Sequence, residues 1–134
     1  MRFPALVIST VCALAPMASA TAAEEWICDK AMSNAETRQC ADREFKKHDA
    51  ELNRLYKRLL QDAASQGDVQ QGYGVPPLEA LKQSQRAWIA FRDANCHWKS
   101  TSFYGGTGQS VIMSSCLAIA TRDRVEELKG SMQD

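Results

Sequence analysis

Apolar residues recur at steps of three and four through three stretches of the chain, and no stretch shows the strict alternation of a half-buried strand. In the first stretch the apolar stripe is Ala41, Phe45, His48, Leu52, Leu55 with Tyr56, Leu59 and Ala63. Arg43, Lys46, Lys47, Lys57 and Arg58 fall on the opposite face. Ser33-Asn34-Ala35-Glu36 has the Ser and Glu of a capping box, which predicts a helix from there to about Ala64. Residues 24–32 ahead of it carry no helical period and read as a lead-in.

Gly67, Gly72 and Gly74 mark residues 66–75 as a linker. Pro76-Pro77 then suits the start of a second helix, because a proline in the first turn forfeits no helical hydrogen bond. This helix is predicted to run from Pro77 to about Trp98. Its central run, Ser84 to Cys96, contains neither Gly nor Pro and organises the fold. Trp88, Ile89 and Phe91 supply large apolar groups, with Gln85, Arg92 and Cys96 on or beside the same stripe and Asp93 next to them. A face of this kind must satisfy a guanidinium and a carboxylate as well as bury apolar surface. Gly105, Gly106 and Gly108 end the segment from Lys99 to Gln109 in a reversal. A third helix follows from about Ser110 to Lys129-Gly130, with Met113, Cys116 with Leu117, Ala120, Arg124 and Leu128 as its inner stripe. The predicted fold is all-α: a small antiparallel domain of three main helices.

The first residues change the compartment. Met1-Arg2, an apolar run from about Phe3 to Ala15, and the small residues Ala18 to Ala23 have the layout of a secretory signal peptide. The run is shorter than the ~20 residues a membrane span needs. Residues 1–23 are thus expected to be removed, leaving residues 24–134 as one soluble periplasmic or secreted domain with no transmembrane anchor. Sixteen basic residues face sixteen acidic ones in the whole chain. Such a balance lacks the basic field that a nucleic-acid partner demands.

Cys12 lies in the leader; Cys28, Cys40, Cys96 and Cys116 remain. An even set in an exported chain implies disulfides. There is no Cys-x-x-Cys, which argues against zinc and against a thioredoxin-like redox site. Cys96 near the end of the second helix and Cys116 early in the third meet if those helices form a hairpin. Cys28 can fold back onto Cys40. Cys28–Cys40 and Cys96–Cys116 are therefore favoured among the three pairings.

The motif Gln85-Arg86-Ala87-Trp88-Ile89-x-Phe91-Arg92-Asp93-Ala94-x-Cys96 does not stand alone. Cys40-Ala41, Asp49-x-x-Leu52-Asn53-x-x-Tyr56, a Gly-Gly loop, Cys116, Thr121 and Arg124-x-x-x-Leu128 accompany it. Together they resemble the small secreted bacterial family of LprI-like lysozyme inhibitors, from about Cys28 to Leu128. The resemblance implies an all-helical, disulfide-stapled domain outside the cytoplasm that acts as a proteinaceous lysozyme inhibitor. The family's usual Gly-Gly-Ser is here Gly105-Gly106-Thr107-Gly108-Gln109-Ser110.

Chemistry of the chain's own is not expected. Asp49, Asn53, Tyr56, Gln85, Arg92, Asp93, Thr121 and Arg124 lie on or beside the inner stripes and are expected to form a structural polar network that fixes helix docking, with Asp49 or Asp93 paired to Arg92 or Arg124. Arginine stays charged and serves poorly as an acid or base. His48 and His97 stand singly on different helices, so no metal site or cofactor is anticipated, and the protein is read as no enzyme. Phe103 and Tyr104, with Lys99, sit on a loop that the proposed bridge would anchor. Exposed, these rigid aromatics suit recognition of a protein partner, a lysozyme in the first instance; the alternative is that both rings tuck back over the Cys96–Cys116 bridge. The rival expectation is a structural or chaperone-like envelope protein that uses a helix face.

Overall fold

The computed structural model describes residues 27–30, 33–66 and 74–132. The proposed leader, Cys12 and most of the glycine linker lie outside these residues. Three helices carry the structure: α1, Asn34–Ser65; α2, Pro77–Ser100; and α3, Gly108–Gly130. A 3-10 turn at Ile27–Lys30 precedes α1, and another at Thr101–Phe103 continues α2. No strand occurs among the described residues.

Local chemistry sets the ends. The Glu36 amide donates to Ser33 Oγ at 3.2 Å, as a capping box requires. The Ser33 hydroxyl in turn donates a hydrogen bond to the Glu36 carboxylate at 2.7 Å. Pro76 caps α2 with its carbonyl, which accepts from the Ala80 amide at 2.9 Å. At the other end the hydroxyls of Ser100 and Thr101 donate to the carbonyls of His97 and Trp98, at 2.7 and 2.6 Å. Carbonyls that a helix end leaves free are thereby bonded, and α2 extends past Trp98 into the 3-10 turn. Gly105 reverses the chain at φ +79°, a conformation that a side chain would strain.

Cross-links between elements give the topology. Asn34 Nδ2 reaches Thr107 Oγ1 at 2.9 Å at one end of the molecule, and Lys129 meets Glu51 at 3.0 Å towards the other. Hence α1 and α3 run parallel. Gln85 to Arg124, Arg92 to Thr121 and Cys96 to Cys116 set α2 antiparallel to α3. The order is up, down, up, with α3 in the middle: it packs most extensively on α1, next on α2, and α1 touches α2 least.

The core is a band of Leu52, Leu55, Val125 and Leu128 between α1 and α3, closed by Tyr56, Leu59, Trp88 and Met132. Ala41 and Ala118 are fully buried. Two sequence expectations are refined here. The most buried row of α3 is Ala118, Thr121, Arg124, Val125 and Leu128, whereas Met113, Cys116, Leu117 and Ala120 are half-buried. A middle helix covers two faces, so one stripe underdescribes it. On α2, Ile89 and Phe91 do not join the core: both are exposed, and the deeply buried positions are Gln85, Cys96 and Ser100.

Both cysteine pairs are at bonding distance in the favoured pairing. Cα atoms are 5.7 Å apart for Cys28 and Cys40 and 5.5 Å apart for Cys96 and Cys116. The first ties the N-terminal turn to α1; the second ties α2 to α3 across the intervening loop.

Candidate functional site

Two arginines, one from each of two helices, converge on a single indole. The Arg92 guanidinium lies 4.9 Å from the centre of the Trp88 ring, one turn back on α2. That of Arg124, from α3, lies 5.6 Å from the same ring. Arg92 also stands 5.5 Å from the Phe45 ring of α1. Attraction between a cation and an aromatic face is strongest when water is excluded, and both arginine heads are largely buried.

Their charges are balanced at the rim. Arg92 Nε and Nη2 both donate to Asp93 Oδ1 at 2.8 Å, and Arg92 Nη1 reaches Thr121 Oγ1 at 3.4 Å. Arg124 donates to Glu127 at 2.6 Å, Ser84 Oγ at 3.1 Å and Gln85 Oε1 at 3.3 Å. Ser84 and Glu127 belong to this cluster although no sequence signal marked their contacts with Arg124. Phe45 was on a recognised stripe; only the three-dimensional crossing reveals that it lies under a guanidinium.

Of the residues expected in one network, the structure brings together Gln85, Arg92, Asp93, Thr121 and Arg124. Asp49 and Asn53 bond each other along α1 at 3.1 Å, and Tyr56 packs against the apolar core. The small α1–α2 contact explains the separation: Asp49 finds its partner on its own helix. His48 is half-buried on α1, with Nε2 3.6 Å from Glu44. Among the described residues its Nδ1 has no hydrogen-bond partner.

Its cations are guanidiniums, and its carboxylates, Asp93 and Glu127, are paired with them. Among the described residues no three His, Cys, Asp or Glu side chains group as metal ligands. A separate ion pair joins α1 to α3. The hydrogen bond from Lys129 holds the Glu51 carboxyl below its ordinary value of 4.5. Lys129 in turn is raised above 10.5 by Glu126 first and Glu51 second.

The loop after α2 presents the other candidate surface. Tyr104 is 85% exposed and Phe103 50%. Phe103 lies against Gly108, where an added Cβ would come within 3.0 Å of its ring. It thus shows one face to solvent, while Tyr104 stands clear. Lys99 is exposed and lines an open groove of about 410 Å³ with Asn95, Ile112, Cys116, Ile119 and Asp123. The Cys96–Cys116 bridge lies beneath. Along the outside of α2, Phe91 at 67% and Trp98 at 69% are open to solvent. Sequence reasoning placed Phe91 with the large apolar groups of the organising helix. The signal that separates it is its spacing: Phe91 and Trp98 are seven apart, on the side of α2 away from Cys96.

A family model described as "Lysozyme inhibitor LprI" matches residues 28–128. An uncharacterized protein of Rhizobium meliloti (strain 1021) is 40% identical over 112 residues, covering 79% of this chain and 78% of that one. No solved structure matches the chain.

Proposed function

Because the chain belongs to the LprI lysozyme inhibitor family, we propose that it is an exported binding protein that inhibits a lysozyme-type muramidase by occupying its cleft, without catalysis of its own. The periplasm or the exterior is its place of action. The two paired disulfides support that location. So does the sequence of residues 1–23. No helix among the described residues is long and apolar enough to cross a membrane.

The observation that carries the inhibitory role is the loop. A muramidase holds its glycan in a cleft with two carboxylates. A blocking element must be narrow and stiff. The segment 101–107 between α2 and α3 is short, with Lys99 in the last turn of α2 beside it, and the Cys96–Cys116 bridge ties the two helices behind it. Tyr104 and Phe103 offer aromatic faces where sugars would lie, and Lys99 offers a cation to a cleft carboxylate.

The test is inhibition of cell-wall lysis by purified lysozymes. Stoichiometric protein should slow lysis. Phe103→Ala combined with Tyr104→Ala should weaken binding by roughly 2 kcal/mol, the scale of two lost anchor side chains, with unchanged helical circular dichroism. A folded double variant that inhibits like the parent would remove the loop from the interface.

A further inference from the structure

The outer face of α2 is patterned like a helix that has a partner. Taken at 100° per residue, Ala80, Ala87, Phe91, Ala94 and Trp98 fall within about 60° of arc. All five are exposed. No charged residue interrupts them. They form two rows with a seven-residue repeat: Ala80, Ala87 and Ala94 in one, and Ser84, Phe91 and Trp98 in the other. One row is all small, and the other carries the bulk. Neither α1 nor α3 covers either row.

We propose that this face pairs with the same face of a second copy of the chain, antiparallel, about a two-fold axis at the level of Ile89. In that register Trp98 lies opposite Ala80 of the second copy, Phe91 opposite Ala87, and Ser84 opposite Ala94. Every large side chain meets a small one, so the helices approach closely without a void or a clash. A parallel pairing would set Phe91 against Phe91 and Trp98 against Trp98, with the alanine rows left apart. A two-fold interface must be self-complementary, and this row pattern is.

Phe91 and Trp98, 67% and 69% exposed, are the two most exposed large hydrophobics of α2, and both lie on this face. Phe91 and Trp98, each about two-thirds exposed, together with the exposed alanines and Ser84 offer on the order of 500 Å² per copy. Twice that area is at the lower edge of a specific interface, which fits a weak, concentration-dependent dimer. A formal net charge of +0 adds no overall repulsion between copies. The inference is independent of the inhibitory loop, because neither Phe103 nor Tyr104 is needed for it.

Sedimentation equilibrium of the disulfide-intact protein, from micromolar to submillimolar, tests the pairing. The parent should approach twice the chain mass. Phe91→Asp should remain monomeric, with parental helical circular dichroism. Ala87→Trp should dissociate at least about tenfold more readily, a change of 1.4 kcal/mol, although it enlarges the apolar face. The swap Ala87→Phe with Phe91→Ala should restore association, since each phenylalanine again faces an alanine. A parent that stays monomeric throughout, or a dimer that survives Phe91→Asp, overturns the proposal. An Ala87→Trp protein that associates more tightly than the parent, or a swap that fails to restore the dimer, overturns the register.

Discussion

Arg92→Ala should destabilise the fold by about 3 kcal/mol, far more than its surface-facing carboxylate partner would suggest. Arg92 is where the three helices meet: Phe45 on α1, Trp88 on its own α2 and Thr121 on α3. Its side chain is 11% exposed, so these contacts act with little solvent screening. The two ring contacts contribute about 1–2 kcal/mol together. Withdrawing the apolar stem from between Trp88 and its surroundings costs about another 1–2 kcal/mol. Thr121 adds little, because its hydroxyl still donates to the Leu117 carbonyl at 2.7 Å after the arginine is gone. The ion pair with Asp93 adds only about 0–1 kcal/mol, since that carboxylate is 52% exposed. At about 4 °C per kcal/mol for a domain of this size, the thermal midpoint should fall by about 12 °C. Arg92→Lys should recover only part of the loss, because a point charge cannot lie flat on two rings. Arg58→Ala, on the exposed face of α1, should change stability by no more than about 0.5 kcal/mol. Urea titration followed by far-ultraviolet circular dichroism gives the three values. Equal midpoints for Arg92→Ala and Arg58→Ala would refute the idea that the indole and its guanidiniums hold the helices in register.

The remaining predictions are independent of that cluster. Thiol titration of the unreduced, processed protein should find no free cysteine, and two or more per chain would contradict the paired framework. The Glu51–Lys129 pair should leave a signature in pH. Glu51 titrates below its ordinary value in the folded state, so its contribution is complete above the unfolded carboxylate's range near ~4.3 and disappears as pH falls through the folded value. The stability gap between the parent and Glu51→Gln should therefore be present at neutral pH and absent in strong acid; a gap that persists undiminished in acid would exclude the pair as its source. Lys129 behaves in the opposite sense: its contribution holds below the unfolded lysine range and is lost as pH rises through its raised value. Lys129→Met should accordingly abolish any alkaline decline assigned to this pair.

Much of the scaffold was legible because its punctuation is local. Ser33 with Glu36, Pro76 with Pro77, and the glycines from Gly105 to Gly108 each act within a few residues, and the helix ends fall within two residues of where they point. Cysteine pairing followed from the same local logic. Contacts between helices were less accessible. Periodicity shows that Arg92 and Arg124 face inward, yet not that they share Trp88. It offered Asp49 or Asp93 as a carboxylate partner: Asp93 does pair with Arg92, while Asp49 bonds Asn53 on its own helix. Phe91 was misplaced for a related reason: hydrophobicity reports that a side chain prefers burial, not whether this chain supplies the cover. Whether Phe103 and Tyr104 face solvent or tuck back over the bridge was not legible in the sequence; both are exposed, and Lys99, expected on the loop, lies in the last turn of α2.

The parallel arrangement of α1 and α3 also has a consequence in time. Leu52 packs with Leu128, 76 positions further along the chain. At roughly 5–20 residues per second of synthesis, α1 waits several seconds before its partner exists. During that interval its apolar row has no partner from the rest of the chain. The hairpin of α2 and α3, by contrast, closes over a short loop as soon as both halves emerge. The helix made first is therefore the last to find its full partner surface.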